Sequence, residues 1–163
     1  MSAVLRRYAI AQVRAGAQAI QLFDTWAGVL APAEYREFAL RWARKVLDSL
    51  ADLGVPRIYF ALDSAHLFED VRECGAEVIG VDWRTSLADA SRRLGDRFVV
   101  QGNLDPCVLL ATPDVVASRA RAVLADGAHA PGHVVNLGHG ILPETPVECA
   151  QAFVETVRGG SAA

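Results

Sequence analysis

The sequence contains no uninterrupted apolar run long enough for a membrane-spanning helix, which needs about 18 residues. The opening residues, MSAVLRRY, also lack the apolar core of a secretory signal peptide, so we expect a cytoplasmic protein that spans no membrane. The 16 lysines and arginines are scattered along the chain, and the net charge is −3. Without a basic cluster, nucleic acids and membrane surfaces are poor candidates for partners.

Cysteine is scarce, and its spacing excludes two classes of site. The chain has Cys74, Cys107 and Cys149 and no C-x-x-C pair. An odd number of widely spaced cysteines argues against a disulfide framework, and the missing pair argues against a structural zinc site. We therefore expect no bound metal and interpret all three cysteines as small, buried apolar side chains.

The 163 residues are enough for one domain with a buried core, and 52% hydrophobic with 21% charged residues is typical of a globular protein. Short apolar runs alternate with segments whose apolar residues recur at helical spacing. The runs predict strands at 19–23, 57–62, 77–82, 98–103 and 133–138, with helices between them. Residues 1–158 are expected to form the folded portion, and residues 159–163 a frayed tail.

The longest predicted helix begins at Pro32, a residue that favours the first turn of a helix, and Gly54 follows its end. Its apolar residues share one face at helical spacing. The side chains predicted to face the core are those of Tyr35, Phe38, Ala39, Trp42 and Val46.

The five strands are apolar without alternation, which is typical of parallel strands that are covered on both faces by helices. Two architectures have this pattern, a doubly wound open sheet and part of a (β/α)₈ barrel. No strand-to-helix junction carries the G-x-G-x-x-G turn that binds phosphate, which disfavours the open sheet. Every strand instead ends in polar residues, and in a barrel these ends meet at the mouth that holds the active site. We predict an α/β fold of five consecutive β-α units of a (β/α)₈ barrel, with a parallel sheet and flanking helices.

Four motifs at strand ends carry a resemblance to a known family. They are QLFDTWAG at 21–28, GVDW at 80–83, QGNLDP at 101–106 and NLGHGILPETP at 136–146. In this order they resemble the C-terminal half of uroporphyrinogen decarboxylases, which have a (β/α)₈ barrel. The resemblance implies a tetrapyrrole substrate, uroporphyrinogen III, whose four acetates lose CO₂ to give coproporphyrinogen III. It also implies chemistry without a metal or an organic cofactor, in which each protonated pyrrole is its own electron sink.

The resemblance assigns substrate contacts to two residues of this chain. Thr25 falls where the family has a hydroxyl that hydrogen-bonds a substrate carboxylate, and His139 falls where the family has a histidine on the cleft wall. Both types suit the task, since a hydroxyl on a strand end is a well-placed donor and an imidazole can donate or carry charge. Asp24, Gln101 and Asn136 are further candidates for the cleft.

Simpler interpretations exist for several of these residues. Thr25 could cap the loop that follows it, and Asp24 could bond to nearby backbone. We interpret Asn103 and Asp105 as residues that hold their loop, with Pro106 at the start of the next turn. Asp82 with its neighbour Trp83 is interpreted in the same way.

The family's catalytic aspartate, its arginine-rich loop and a cleft tyrosine all precede the region that this chain matches. The resemblance therefore implies no catalytic residue within the chain. We expect activity only together with an N-terminal half, as a separate chain or as further sequence, and a homodimer is a second possible assembly. Two alternatives remain, a remnant without enzymatic activity and a corrinoid-dependent methyltransferase of the same fold. The latter would need H-x-C near the second strand and a cysteine in the last loop, where this chain has ALDSAHLF and LGHG.

Overall fold

The computed structural model describes residues 1–160, and residues 161–163 of the predicted tail lie outside that range. Strands and helices alternate as predicted. The strands are β1 (Ile20–Phe23), β2 (Arg57–Phe60), β3 (Val78–Gly80), β4 (Val99–Leu104) and β5 (His133–Leu137). The helices are α1 (Ser2–Arg14), α2 (Pro32–Glu34), α3 (Arg41–Asp48), α4 (Phe68–Val71), α5 (Leu87–Leu94), α6 (Pro113–Gly127) and α7 (Val147–Gly160).

The strands form one parallel sheet in the order β1-β2-β3-β4-β5, so each strand pairs with the next one along the chain. Consecutive parallel pairing with a helical connection after each strand is the arrangement of a (β/α)₈ barrel. The predicted fold class is confirmed as five consecutive β-α units. Within residues 1–160, β1 and β5 each have a strand neighbour on one side only.

The main core lies between the sheet and the helices. Outward residues of the strands, among them Tyr59 and Ile79, pack there with Leu47 of α3 and Leu87 of α5. A smaller cluster around Val116 lies where α6 and α7 cover the end of the sheet. Packing against the helices therefore occupies the helix-facing side of the sheet, and the opposite face remains for a ligand.

The long second helix differs from the prediction at its inner face. A π-helical segment (Tyr35–Leu40) joins α2 to α3. Because a π-helical turn contains more residues than an α-helical one, Tyr35, Ala39 and Ala43 are buried at intervals of four. Phe38 and Trp42 are instead 61% and 41% exposed, so their predicted burial is wrong.

Two further expectations are corrected. Cys74 and Cys149 are buried, but Cys107 is exposed, because it lies in the short 3₁₀ helix Pro106–Leu110 on the side that faces solvent. Helix α7 continues through Gly160 and so includes the first two residues of the predicted tail. None of the helices within residues 1–160 has the length and the apolar character needed to cross a membrane.

Candidate functional site

A cleft of about 480 Å³ lies on the face of the sheet that is turned away from the helices, at the carboxyl ends of the strands. Its walls come from β1, β2, β4 and β5 and from the loops that follow β1 and β5. The lining residues are Gln21, Phe23, Thr25, Phe60, Gln101, Asn136, Leu137, His139, Gly140 and Ile141. Four of the five residues predicted for a cleft, Thr25, Gln101, Asn136 and His139, are therefore in it.

Asp24 is not in this cleft. Successive side chains of a strand point to opposite faces, and pairing continues past Phe23 because the Asp24 N–H donates to the Phe60 carbonyl at 2.8 Å. Phe23 and Thr25 therefore line the cleft, while Asp24 points toward the helices and accepts a hydrogen bond from the Tyr59 hydroxyl at 3.1 Å. The structure thus corrects the candidacy of Asp24 for the cleft.

The same alternation places Gln21 in the cleft, a residue that the sequence analysis did not identify. Gln101 Nε2 donates a hydrogen bond to Gln21 Oε1 at 3.2 Å, although β2 and β3 lie between the two strands. In a flat sheet three strand spacings separate such residues by about 14 Å, too far for side chains that stand perpendicular to the sheet. The sheet is therefore curved, with the cleft on its concave face. A polar residue within the apolar run AIQLF, two positions before Phe23, was the available signal.

A close backbone contact and two aromatic rings fix the position of His139. A Cβ atom at Gly138 would lie 2.6 Å from the backbone nitrogen of Trp83, so a glycine is needed where the loop after β5 crosses Trp83. The imidazole then makes T-shaped contacts with the rings of Trp83 and Phe60, at centroid distances of 6.5 Å and 6.3 Å. Within residues 1–160 neither ring nitrogen has a hydrogen-bond partner, so both are available to a ligand.

Thr25 lies on the opposite wall, after the end of β1. The loop it begins packs closely on the end of β2, where a Cβ at Gly28 would lie 2.0 Å from the Leu62 carbonyl oxygen. No residue in the described part of the chain hydrogen-bonds the Thr25 hydroxyl. Thr25 therefore does not act as a loop cap, and its hydroxyl is free to donate into the cleft.

Asn136 completes the polar lining. It is exposed on the concave face of β5 and pairs in register with Asn103 of β4. Asn103 itself is buried and donates to the carbonyls of Asp82 and Thr85, at 3.0 Å and 2.6 Å. Of these two neighbouring amides, Asn136 is thus open to a ligand and Asn103 holds the loop after β3.

The interpretation of two further acids as loop-holding residues is confirmed. Asp82 is buried, and its carboxylate accepts hydrogen bonds from the backbone nitrogens of Asp63 and Arg84. Asp105 accepts from the Cys107 nitrogen at 2.9 Å and caps the 3₁₀ helix in which Pro106 is the first residue. Neither residue lines the cleft.

The cleft carries little charge. His139 is the one titratable side chain among its described lining residues, and the others are amides, a hydroxyl and apolar groups. Residues 1–160 also contain no group of three or more His, Cys, Asp or Glu side chains arranged to hold a metal ion. What the cleft offers chemically is a set of hydrogen-bond donors and acceptors between aromatic and aliphatic walls.

A curved parallel sheet of five consecutive β-α units, with a cleft at the carboxyl ends of its strands, defines the chain as part of a (β/α)₈ barrel. The sequence matches the family model described as Uroporphyrinogen decarboxylase (URO-D) over residues 1–160. The chain belongs to the uroporphyrinogen decarboxylase family.

Named relatives agree with this assignment. The chain is 47% identical over 162 residues to a uroporphyrinogen decarboxylase of Chloroflexus aurantiacus and 53% identical over 134 residues to that of Salinispora tropica. These matches include 97% and 82% of the chain but only 46% and 36% of the relatives, in their C-terminal portion. The chain therefore spans a little under half the length of the relatives it matches.

Among solved structures, the chain is similar to a methyltransferase from Methanosarcina mazei, with a TM-score of 0.85. The match covers 99% of the chain and 48% of the methyltransferase, at 24% identity. At that identity the likeness concerns the fold alone.

Proposed function

We propose that this chain supplies the C-terminal part of a uroporphyrinogen decarboxylase site. The substrate is a uroporphyrinogen, and the reaction removes CO₂ from its acetate side chains without a metal or an organic cofactor. Thr25 and His139 bind substrate carboxylates from opposite walls of the cleft. The observation that carries the proposal is that both side chains enter one cleft and neither has a hydrogen-bond partner within residues 1–160.

The shape of the cleft supports a flat, largely apolar ring with polar substituents. Phe23 and Phe60 form an edge-to-face pair with ring centroids 6.0 Å apart, and Ile141 also lines the cleft. Such side chains suit pyrrole rings, while the amides and hydroxyl can meet carboxylates at the periphery.

The electrostatics argue that this cleft is only part of the site. A uroporphyrinogen carries eight carboxylates, and such a ligand needs several cations nearby. No arginine or lysine is among the described lining residues. We therefore propose that the cations and the acid that stabilises the protonated pyrrole come from an N-terminal barrel half, which also pairs with the free edges of β1 and β5.

An anaerobic assay tests this proposal. The chain alone and the chain mixed with the N-terminal half of the Chloroflexus aurantiacus relative are incubated with uroporphyrinogen III, and the products are oxidised and separated by chromatography. We expect coproporphyrin only from the mixture. Turnover by the chain alone, above the rate without protein, would show that a residue described here is the catalytic acid. A mixture that forms a stable complex but gives no turnover would contradict the proposed activity.

A further inference from the structure

A chain of buried hydroxyls ends directly behind the cleft. Tyr35, the first residue of the π-helical segment, donates to the Tyr59 hydroxyl at 3.1 Å, and Tyr59 of β2 donates to Asp24 Oδ2 at 3.1 Å. Both tyrosines have no exposed surface, and both lie on the helix side of the sheet. The cleft lines the other side of the same strands.

The direction of this chain of hydrogen bonds follows from burial. Burial raises the pKa of Tyr35 and of Tyr59, so each hydroxyl keeps its single proton. A carboxylate can only accept, so the two protons point toward Asp24. Burial also raises the pKa of Asp24, against the lowering effect of the Tyr59 hydrogen bond, but either protonation state keeps an oxygen that accepts from Tyr59.

Asp24 is held at three points. Its N–H donates to the Phe60 carbonyl at 2.8 Å, its own carbonyl accepts from the Ala27 N–H at 3.1 Å, and its carboxylate accepts from Tyr59. The next residue, Thr25, has no side-chain hydrogen bond in the described chain. The Thr25 hydroxyl thus has no hydrogen bond of its own within residues 1–160 that would fix its orientation.

We propose that Asp24 and Tyr59 are positioning residues for Thr25. The carboxylate on the outer face of β1 and the phenol on the outer face of β2 together fix the strand end whose next side chain enters the cleft. A fully hydrogen-bonded polar group specifies one arrangement of a core, whereas apolar side chains of similar size tolerate several. The ligand that Thr25 meets is the carboxylate of the proposed function, on which this role rests.

The first test observes Thr25 itself and needs no turnover. In the full chain with ¹³C-labelled threonine methyl groups, NMR relaxation reports the order parameter of Thr25 against those of Thr85, Thr112 and Thr156. We expect Tyr59→Phe and Asp24→Ala to lower the Thr25 value and to leave the other three unchanged. Asp24→Asn should restore it, because an amide oxygen still accepts from Tyr59.

Two comparison variants separate positioning from a general loss of stability. Tyr35→Phe makes the same change at an equally buried site one hydrogen bond farther from Asp24, so it should lower the Thr25 order parameter less than Tyr59→Phe does. Ser49→Ala removes a hydroxyl that donates to the Val46 carbonyl at the far end of α3, and should leave Thr25 unchanged. An unaltered Thr25 methyl in folded Tyr59→Phe would overturn the proposal.

The second test is a double-mutant cycle in the chain combined with the N-terminal half. Tyr59→Phe should raise KM roughly three- to tenfold when Thr25 is present and leave KM unchanged in a Thr25→Val background. The effects of the two substitutions on the free energy of unfolding in urea should add, because Tyr59 and Thr25 are coupled in substrate binding and not in stability. Equal increases of KM in both backgrounds would reject positioning through Thr25. If the wild-type mixture shows no turnover, the proposed function fails, and the NMR measurement still decides the role of Asp24 and Tyr59.

Discussion

The imidazole of His139 meets the ring of Phe60 edge to face, with ring centroids 6.3 Å apart. This contact joins the loop after β5 to the end of β2 across the concave face of the sheet. Because the curvature of the sheet brings these two segments together, His139 lines the same cleft as Thr25.

Loss of either proposed carboxylate contact should weaken the combined enzyme without abolishing it. His139→Asn or Thr25→Val removes one hydrogen bond, worth about 1–3 kcal/mol, and activity should fall roughly ten- to a hundredfold. Steady-state rates of uroporphyrinogen decarboxylation measure the effect. His129→Asn and Thr112→Val, which change residues outside the cleft lining, serve as matched controls. Complete loss of turnover in a folded His139→Asn variant would mean that the histidine transfers the proton.

Asp24 and Glu77 should change the stability of the chain with pH in opposite directions. Burial raises the pKa of Asp24. The favourable contribution of Asp24 to the free energy of unfolding is therefore complete below the ordinary pKa of about 3.9, and it declines as the pH rises through the pKa of the folded state. Although burial opposes it, hydrogen bonds from Arg57 hold the pKa of Glu77 below its usual range. The contribution of Glu77 to the free energy of unfolding is therefore present above a pH of about 4.3, the ordinary pKa of a glutamate, and is lost as the pH falls through the pKa of the folded state.

Urea unfolding between pH 3 and pH 8 tests these signs. Relative to the wild type, Asp24→Asn should gain stability as the pH rises, and Glu77→Gln should lose it. The same slope for both variants would contradict the assignment of opposite shifts.

The free edges of the sheet should make the isolated chain associate. β5 ends the sheet, and Val134 on it is 43% exposed, which offers an apolar strand with unpaired backbone groups. Sedimentation velocity over a range of concentrations should show oligomers of the wild-type chain, and Val134→Lys should shift them toward the monomer. Val115→Lys, at a similarly exposed site on α6, should leave the distribution unchanged. A wild-type chain that stays monomeric at high concentration would contradict this expectation.

We expect the purified chain to carry no stoichiometric zinc. Zinc sites need three or four nitrogen, sulfur or oxygen ligands in tetrahedral reach, and residues 1–160 bring no such set together. Elemental analysis after dialysis against a chelator measures the zinc content, with a zinc-loaded protein of known content as reference. One zinc per chain that survives chelation would favour the methyltransferase interpretation.

The sequence alone was sufficient for the order of strands and helices, the parallel sheet and the family. Apolar runs of strand length and the four strand-end motifs are local features of the sequence. They can therefore be recognised without knowledge of the tertiary contacts. Thr25 and His139 were predicted for the cleft in the same way, because each lies in a motif, and both line it. The adjacent pair Asp24-Thr25 shows where local reasoning was incomplete. At the end of β1 the side chains of these two neighbours point to opposite faces of the sheet, and the pairing with β2 decides which of them faces the cleft.

Only the tertiary structure decided which polar residues meet. The hydrogen bond between Gln21 and Gln101 joins residues 80 positions apart and exists because the sheet is curved. The link from Tyr59 to Asp24 depends on the pairing of β1 with β2, and the link from Tyr35 depends on a π-helical segment that a spacing of 3.6 residues does not predict. The same segment turns Phe38 and Trp42 outward. These features arise from the packing of one element on another, so a pattern along the chain determines which elements form, and their contacts determine which side chains share the cleft.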